Sequence, residues 1–266
     1  MPHMIDAELN FIDPSATAPA VQVAEYGHEH QRNFQYDAHD VMILNGRQLN
    51  PLPKLDREGF ELQHAPTILR SFSDGNMVER VYYPRIERLI KQATGATDVV
   101  VFDRTVRTAE PHNTVRSPVL HTHNDYTETS APKRVLDLLG EEEGRKRLQK
   151  RFAQINVWRP IESMVQSTPL AFADARTVSS RHLVPTEVNY GDRKGEVYEL
   201  LYHPSIRWVT FPNMTPDEVV LIKGFDSATD HRAKLSPHTA FIDPASPDNA
   251  PPRKSIEVRT FAFFDD

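Results

Sequence analysis

The sequence predicts a mainly β (α+β) fold, a β core with helices packed outside it, and three observations lead there. Short runs rich in β-branched and aromatic residues recur through the second half between turn residues, as in EVYELLYHP, IRWVTFP, DEVVLIKGFD, HTAFID and SIEVRTFAFF. The 266 residues hold 21 Pro and only 10 Gly, a balance that favours turns and short strands over long helices. Helical periodicity is confined to the stretch before Phe152.

Taken in order, residues 1–25 (MPHMIDAELNFIDPSATAPAVQVAE) mix Pro, Ala and polar residues without a sustained period and read as a loose arm. The alternative is that this arm packs on a neighbouring subunit, which admits a homodimer. From Asp40, DVMILNGRQL reads as a β-hairpin turning at Asn45-Gly46. In DGNMVERVYYPRIERLIKQATG, Met77, Val78, Val81, Tyr82, Ile86, Leu89 and Ile90 fall near helical spacing. Asp74 is the expected N-cap and Gly95 the expected C-terminal stop, so an amphipathic helix follows, interrupted or kinked at Pro84. DVVVFDRTVRT reads as a central strand and APKRVLDLLGEEEGRKRLQKRF as a second helix, with QINVWRPI opening the β-rich remainder. No internal repeat or composition shift marks a boundary, so residues 26–266 are expected to form one domain.

With 31 Lys+Arg against 37 Asp+Glu the net charge is −6, which leaves no footprint for nucleic acid. No run approaches the roughly 18 apolar residues of a membrane helix, and Met1 to Asn10 lacks the basic and apolar regions of an export signal. A cytoplasmic protein acting on a small molecule, with no membrane or nucleic-acid partner, is expected. The absence of cysteine removes disulfides, thiolate nucleophiles and thiolate-bound metals, so any metal must sit on His, Asp and Glu.

The strongest chemical signal is PVLHTHNDYTE, with His121, His123 and Asp125 at alternating positions. If extended, all three share a face, which in isolation is equally the pattern of a polar face toward solvent. An H-x-D pair joined by a distant histidine makes a facial triad that leaves three adjacent positions open on Fe(II) for a bidentate co-substrate and O2. His123 and Asp125 fit that pair, with His121 beside them. For the distant member, SPHTAFIDP offers His238 in a structured strand, whereas His231, His203, His112 and His182 lie in turn-like or polar stretches.

The terminal PPRKSIEVRTFAFF carries Arg253, Ser255 and Arg259, of which the arginines alone would read as surface or ion-pair residues. A guanidinium there matches a carboxylate with paired, charge-assisted hydrogen bonds, and a serine two residues on adds a third from the same side. His238 stands 15 residues before Arg253. Asn156 and Trp158 in INVWRP share a strand face with Gln154 and are expected to line the pocket, though a buried Trp also serves a core. Arg104 and Arg107 in FDRTVRT read first as an outward-facing charged pair, and alternatively as neutralising a substrate carboxylate.

The order H-x-D, distal His, R-x-S resembles Fe(II)/2-oxoglutarate-dependent oxygenases. VLHTHNDYTETSAPKRVLDLL, FAQINVWRPI, PLAFADARTV, LVPTEVNYGDRKGEVYELLYHP and APPRKSIEVRTFAFF are similar to the CmcJ/AsaB-type, gibberellin-desaturase-like branch, from about Tyr26 to Phe264. The resemblance implies a double-stranded β-helix (jelly-roll, cupin-like), with iron on His123, Asp125 and His238 and O2 as oxidant. It implies hydroxylation, desaturation or cyclisation of an amino acid, polyketide or terpenoid in secondary metabolism, with 2-oxoglutarate decarboxylated to succinate. The co-substrate arginine is Arg253 by R-x-S or Arg259 by depth in the strand. Arg259 is the preferred reading, because Pro251 and Pro252 place Arg253 near an exposed strand mouth.

Two other classes remain to be separated. HTHNDY supplies all but the last residue of the H-x-H-x-D-H of binuclear metal hydrolases, with Tyr126 in the final place. A non-catalytic β-barrel ligand-binding protein would keep the pocket and bind no metal. A weak lilac charge-transfer band with Fe(II) and 2-oxoglutarate, without oxygen, separates an oxygenase from both.

Overall fold

The protein is described from a computed structural model over residues 4–23, 30–69, 71–110, 115–191 and 193–265. Its strands in chain order are β1 (Met4–Ile12), β2 (Ala20–Gln22), β3 (Gln31–Arg32), β4 (Tyr36–Asn45), β5 (Phe60–His64), β6 (Asp98–Thr108), β7 (His123–Asn124) and β8 (Phe152–Pro160). There follow β9 (Leu170–Ala173), β10 (Leu183–Asn189), β11 (Lys194–Leu200), β12 (Trp208–Thr210), β13 (Glu218–Asp226), β14 (His238–Ala240) and β15 (Lys254–Phe263). The helices are α1 (Gly75–Met77), α2 (Tyr83–Thr94), α3 (Ser130–Leu139) and α4 (Glu141–Leu148). Among the described residues no helix is long and apolar enough to cross a membrane.

Two curled sheets face each other as a jelly roll: one in the order β5-β13-β8-β15-β6, the other containing the run β12-β9-β14-β7-β11. β8 explains how the layers form. All nine of its residues are buried, because Ile155 and Val157 pack outward against Ile86 and Ile90 of α2, while Trp158 packs inward with Phe172, Val209 and Ile222. Each fully buried aliphatic side chain of this kind is worth roughly 1.5–3 kcal/mol relative to exposure.

The helix over 74–95 forms with the expected stops. Asp74 accepts from the backbone of Asn76 and Met77, and Gly95 adopts φ 76° beyond the last turn. The interruption is a π-helical turn over Val78–Tyr82, immediately before Pro84. Proline has no N–H and crowds the carbonyl four residues back, and the widened turn accommodates both.

Four expectations are corrected. Residues 4–12 are not part of a loose arm: β1 pairs antiparallel with β4 of its own chain, and Ile5, Ala7, Leu9 and Phe11 are buried at alternate positions. The Asn45-Gly46 hairpin does not form, because Asn45 caps a 3-10 turn instead, and a Cβ on Gly46 would collide with Val209 and Phe211. DVVVFDRTVRT is an edge strand of the five-stranded sheet rather than a central one; its outer face is covered by α2 and its inner face lines a cavity, so its β-branched run is half-buried without a second strand of the sheet beside it. The second helix is split into α3 and α4 at Gly140, and its last residue, Phe152, already belongs to β8.

Candidate active site

The site begins with a strand register. β7 and β14 are antiparallel neighbours, and His123 is paired directly with His238, which brings their rings to 4.8 Å although the two are far apart in sequence. Asp125 follows β7, and its Oδ1 lies 3.7 Å from His123 Nε2. One ligand-capable atom from each of His123, Asp125 and His238 lies within 4.8 Å of the others.

The hydrogen bonds select the ring nitrogens that face inward. His123 Nδ1 is 2.9 Å from the carbonyl of His121 and His238 Nδ1 is 3.1 Å from the carbonyl of Ser236. A carbonyl only accepts, so each Nδ1 carries the proton and each Nε2 keeps its lone pair. Burial, then the neighbouring His238 and His121, hold the His123 imidazole well below its ordinary pKa, hence neutral. Burial alone would raise the Asp125 carboxyl, but Arg259, His123, His238 and a hydrogen bond from Asn156 outweigh it and hold it below the ordinary carboxylate range. Two imidazoles and one carboxylate, with their donor atoms turned together, suit a divalent iron with open positions.

The remaining sequence-expected residues divide. Asn156 is buried and absent from the cavity wall; its Nδ2 donates to Asp125 Oδ2 at 2.6 Å, and Gln154 in turn donates to Asn156. Trp158 is core and does not line the cavity. Arg259 also reaches Asp125 Oδ2, at 3.3 Å, and meets Asp103 and Glu257 at 3.0 and 2.6 Å. Its charge is therefore already matched by carboxylates. The reasoning that preferred it fails at Arg253, which is no exposed strand mouth: that residue is 2% exposed and lies under the Trp158 ring. Arg253 donates from Nη1 to the Thr168 carbonyl and its Nε has no partner among the described residues. Burial and the nearby Arg107 draw its pKa down to about 9. Ser255 is buried on the same inward face.

His121 turns away from the three-residue cluster to Glu199, at 3.1 Å, and stacks on Tyr36. Glu199 and Tyr36 escape sequence reasoning because each belongs to a strand distant from H-x-D and has no motif of its own. Arg104 and Arg107 both line the cavity but differ in their partners: Arg104 binds Glu79 and Tyr83 on the helical side, while Arg107 donates to the Ser117 carbonyl. His182 and His203 stack on each other away from the site, and His112 lies outside the described residues. Tyr126, where a binuclear hydrolase motif would place a further histidine, packs against Phe102 and Phe261. A cavity of about 670 Å³ opens beside His123 and Asp125, walled by β6, β11 and α3.

Comparison with known proteins gives the fold and the family. A family model described as an oxidoreductase/YMDC permease-like domain matches residues 9–263. The chain is 28% identical to hydroxylase/desaturase efuI of Hormonema carpetanum over 98% of this chain and 96% of that one. It is 29% identical to the Fe(II)/2-oxoglutarate-dependent dioxygenase nvfI of Aspergillus novofumigatus, over 97% and 96%. Hydroxylase/desaturase CTB9 of Cercospora beticola is 30% identical over 87% of this chain and 78% of its own length. A solved structure of the iron and alpha-ketoglutarate-dependent endoperoxidase NvfI superposes with a TM-score of 0.88 at 29% identity, covering 98% of each chain. With a jelly roll that matches that of NvfI over almost its whole length and two histidines and an aspartate gathered together, this chain belongs to the Fe(II)/2-oxoglutarate-dependent oxygenases.

Proposed function

We propose that His123, Asp125 and His238 hold the iron, that Arg253 and Ser255 seat the far carboxylate of 2-oxoglutarate, and that the enzyme hydroxylates, desaturates or cyclises a small organic molecule of secondary metabolism. The observation that carries the reading is the inward-turned triad, whose two Nε2 atoms and one carboxylate are freed for a metal by bonds at their other atoms. Support for the substrate class comes from relatives named hydroxylase/desaturase and from an aspirochlorine biosynthesis protein N of Aspergillus oryzae.

Each residue has a definable task. The carbonyls of His121 and Ser236 keep both Nδ1 atoms protonated, so the imidazoles present lone pairs without rotating. Asn156 and Arg259 occupy Oδ2 of Asp125, which turns Oδ1 toward His123. Arg253 is a buried cation with an unused Nε and no carboxylate of its own among the described residues, and such a group is stabilised by an anion that arrives with the co-substrate. Arg259 lacks that vacancy because three carboxylates already surround it. Iron(II) with 2-oxoglutarate and O2 supplies the oxidising power for hydrogen abstraction from the substrate, releasing succinate and CO2. The cavity walls exclude water and hold the substrate carbon beside the triad.

The test is anaerobic iron titration of the purified protein followed by addition of 2-oxoglutarate. One Fe(II) per chain and a weak lilac band are expected, with iron binding lost in His123→Ala, Asp125→Ala and His238→Ala. Retention of iron and of 2-oxoglutarate turnover in all three variants overturns the ligand assignment.

A further inference from the structure

The cavity beside the triad is positively charged in an acidic protein. Its described walls carry nine Lys and Arg against five Asp and Glu, whereas the whole chain has 31 against 37. The five acids are all engaged: Asp103 and Asp125 with Arg259, Asp137 with Lys133, Glu196 with Thr127, and Glu199 with His121 and Tyr36. The cations are not symmetrically engaged. Arg107 donates one N–H to the Ser117 carbonyl, and Arg134 and Arg193 stack on Phe102 and Tyr190. Among the described residues no carboxylate comes within 4.0 Å of Arg107, Arg134 or Arg193.

Arg107 is the one of these carried by the five-stranded sheet. It pairs in register with Ser255 on the inward face of the five-stranded sheet, and burial depresses its pKa despite the nearby Glu257. On this side of the sheet Arg107, half-buried on the cavity wall, and Arg253, buried behind it, have no carboxylate partner among the described residues. 2-Oxoglutarate brings one far carboxylate, which answers one of them. Resting on the oxygenase reading above, we propose that the oxidised substrate is itself an acid, and that Arg107 binds its carboxylate while Arg253 keeps that of 2-oxoglutarate. Arg134 and Arg193 add a positive field at the cavity wall that draws such a substrate in. Arg107 is in this sense a specificity residue, choosing acids over their neutral analogues.

The experiment uses a panel of aromatic, terpenoid and amino-acid skeletons, each as free carboxylic acid, methyl ester and primary amide. Binding to the anaerobic Fe(II)- and 2-oxoglutarate-loaded protein is screened by saturation-transfer NMR and measured by calorimetry, with metal-free protein run in parallel. The acids are expected to bind at least about tenfold more tightly than their esters and amides, since a charge-assisted pair with Arg is worth that much. Arg107→Gln should abolish this preference, Arg107→Lys should restore part of it, and neither should change the affinity for 2-oxoglutarate. Esters binding as well as acids, no acid binding at all, or an acid preference untouched in Arg107→Gln each overturn the proposal. If Arg107→Gln instead weakens 2-oxoglutarate, Arg107 serves the co-substrate and this proposal fails while the oxygenase reading stands. If the unmodified protein binds acids but takes up neither iron nor 2-oxoglutarate, the oxygenase reading fails on its own. Should both variants misfold by circular dichroism, the acid-to-ester ratio of the unmodified protein decides.

Discussion

Asn156 Nδ2 donates to Asp125 Oδ2 at 2.6 Å, and Gln154 Nε2 donates to Asn156 Oδ1 at the same distance. The chain of amides starts at Gly224, where the pairing of β13 with β8 slips by one residue, and ends on a carboxylate of the triad. A Cβ on Gly224 would overlap Gln154 Oε1 and stand 3.1 Å from its Cδ. An irregularity in one sheet is thereby linked to the aim of a side chain that follows a strand in the other.

Asn156→Ala removes a charge-assisted hydrogen bond of about 1.5–3 kcal/mol from Asp125. Iron affinity should fall about tenfold or more, as for other residues that orient metal ligands. Gly224→Ala should act in the same direction by driving Gln154 off Asn156. Anaerobic iron titration measures both, and affinities equal to the unmodified protein would show that the amide chain does not position Asp125.

The two arginines of β15 should separate in their effects. Arg253→Gln is expected to raise the 2-oxoglutarate KM at least about tenfold, since it removes an otherwise unpaired guanidinium from the interior. Arg259→Gln should chiefly weaken iron binding, because its nearest contact in the triad is Asp125. Steady-state kinetics at saturating iron give the first quantity and iron titration the second; the reverse pattern returns the co-substrate to Arg259.

His121 lies two residues before His123 yet bonds Glu199. His121→Ala should therefore weaken iron binding far less than His123→Ala. Equal losses in the two variants would restore weight to an H-x-H metal site.

Asp226 is fully buried and meets Arg151 and Lys223 at 2.8 and 2.9 Å. Burial alone would raise its carboxyl, but hydrogen bonds from Arg151 and Lys223 hold it below the ordinary range. A carboxylate whose pKa is depressed on folding stabilises fully above its unfolded value of about 3.9, and that contribution is lost as pH falls through the folded value. Asp226→Asn should cost about 3 kcal/mol at pH 7, leaving Asp56 as the one carboxylate still beside the buried Lys223 and the half-buried Arg151. Urea unfolding at several pH values checks this: the gap between the two proteins should be constant through the neutral range and narrow only below about pH 3.9.

The sequence by itself determined whatever depends on short spacing. H-x-D at 123 and 125, the distal His238 with Arg253 15 residues on, and the caps Asp74 and Gly95 are local patterns whose chemistry can be read residue by residue. The alternation of Ile5, Ala7, Leu9 and Phe11 was equally legible, but its Pro- and Ala-rich continuation masked it, and a partner strand more than twenty residues away was needed to bury it. Only the tertiary structure decided which arginine has a counter-ion. Arg259 faces Asp103 because β15 and β6 pair in that register, and the same ladder sets Arg107 opposite Ser255. A strand of period two tells which residues share a face, and so sets Glu257 beside Arg259, but not which face is inward or what other charges wait there, because Asp103 and Asp125 come from segments more than a hundred residues away and the balance among them is fixed by burial rather than by spacing.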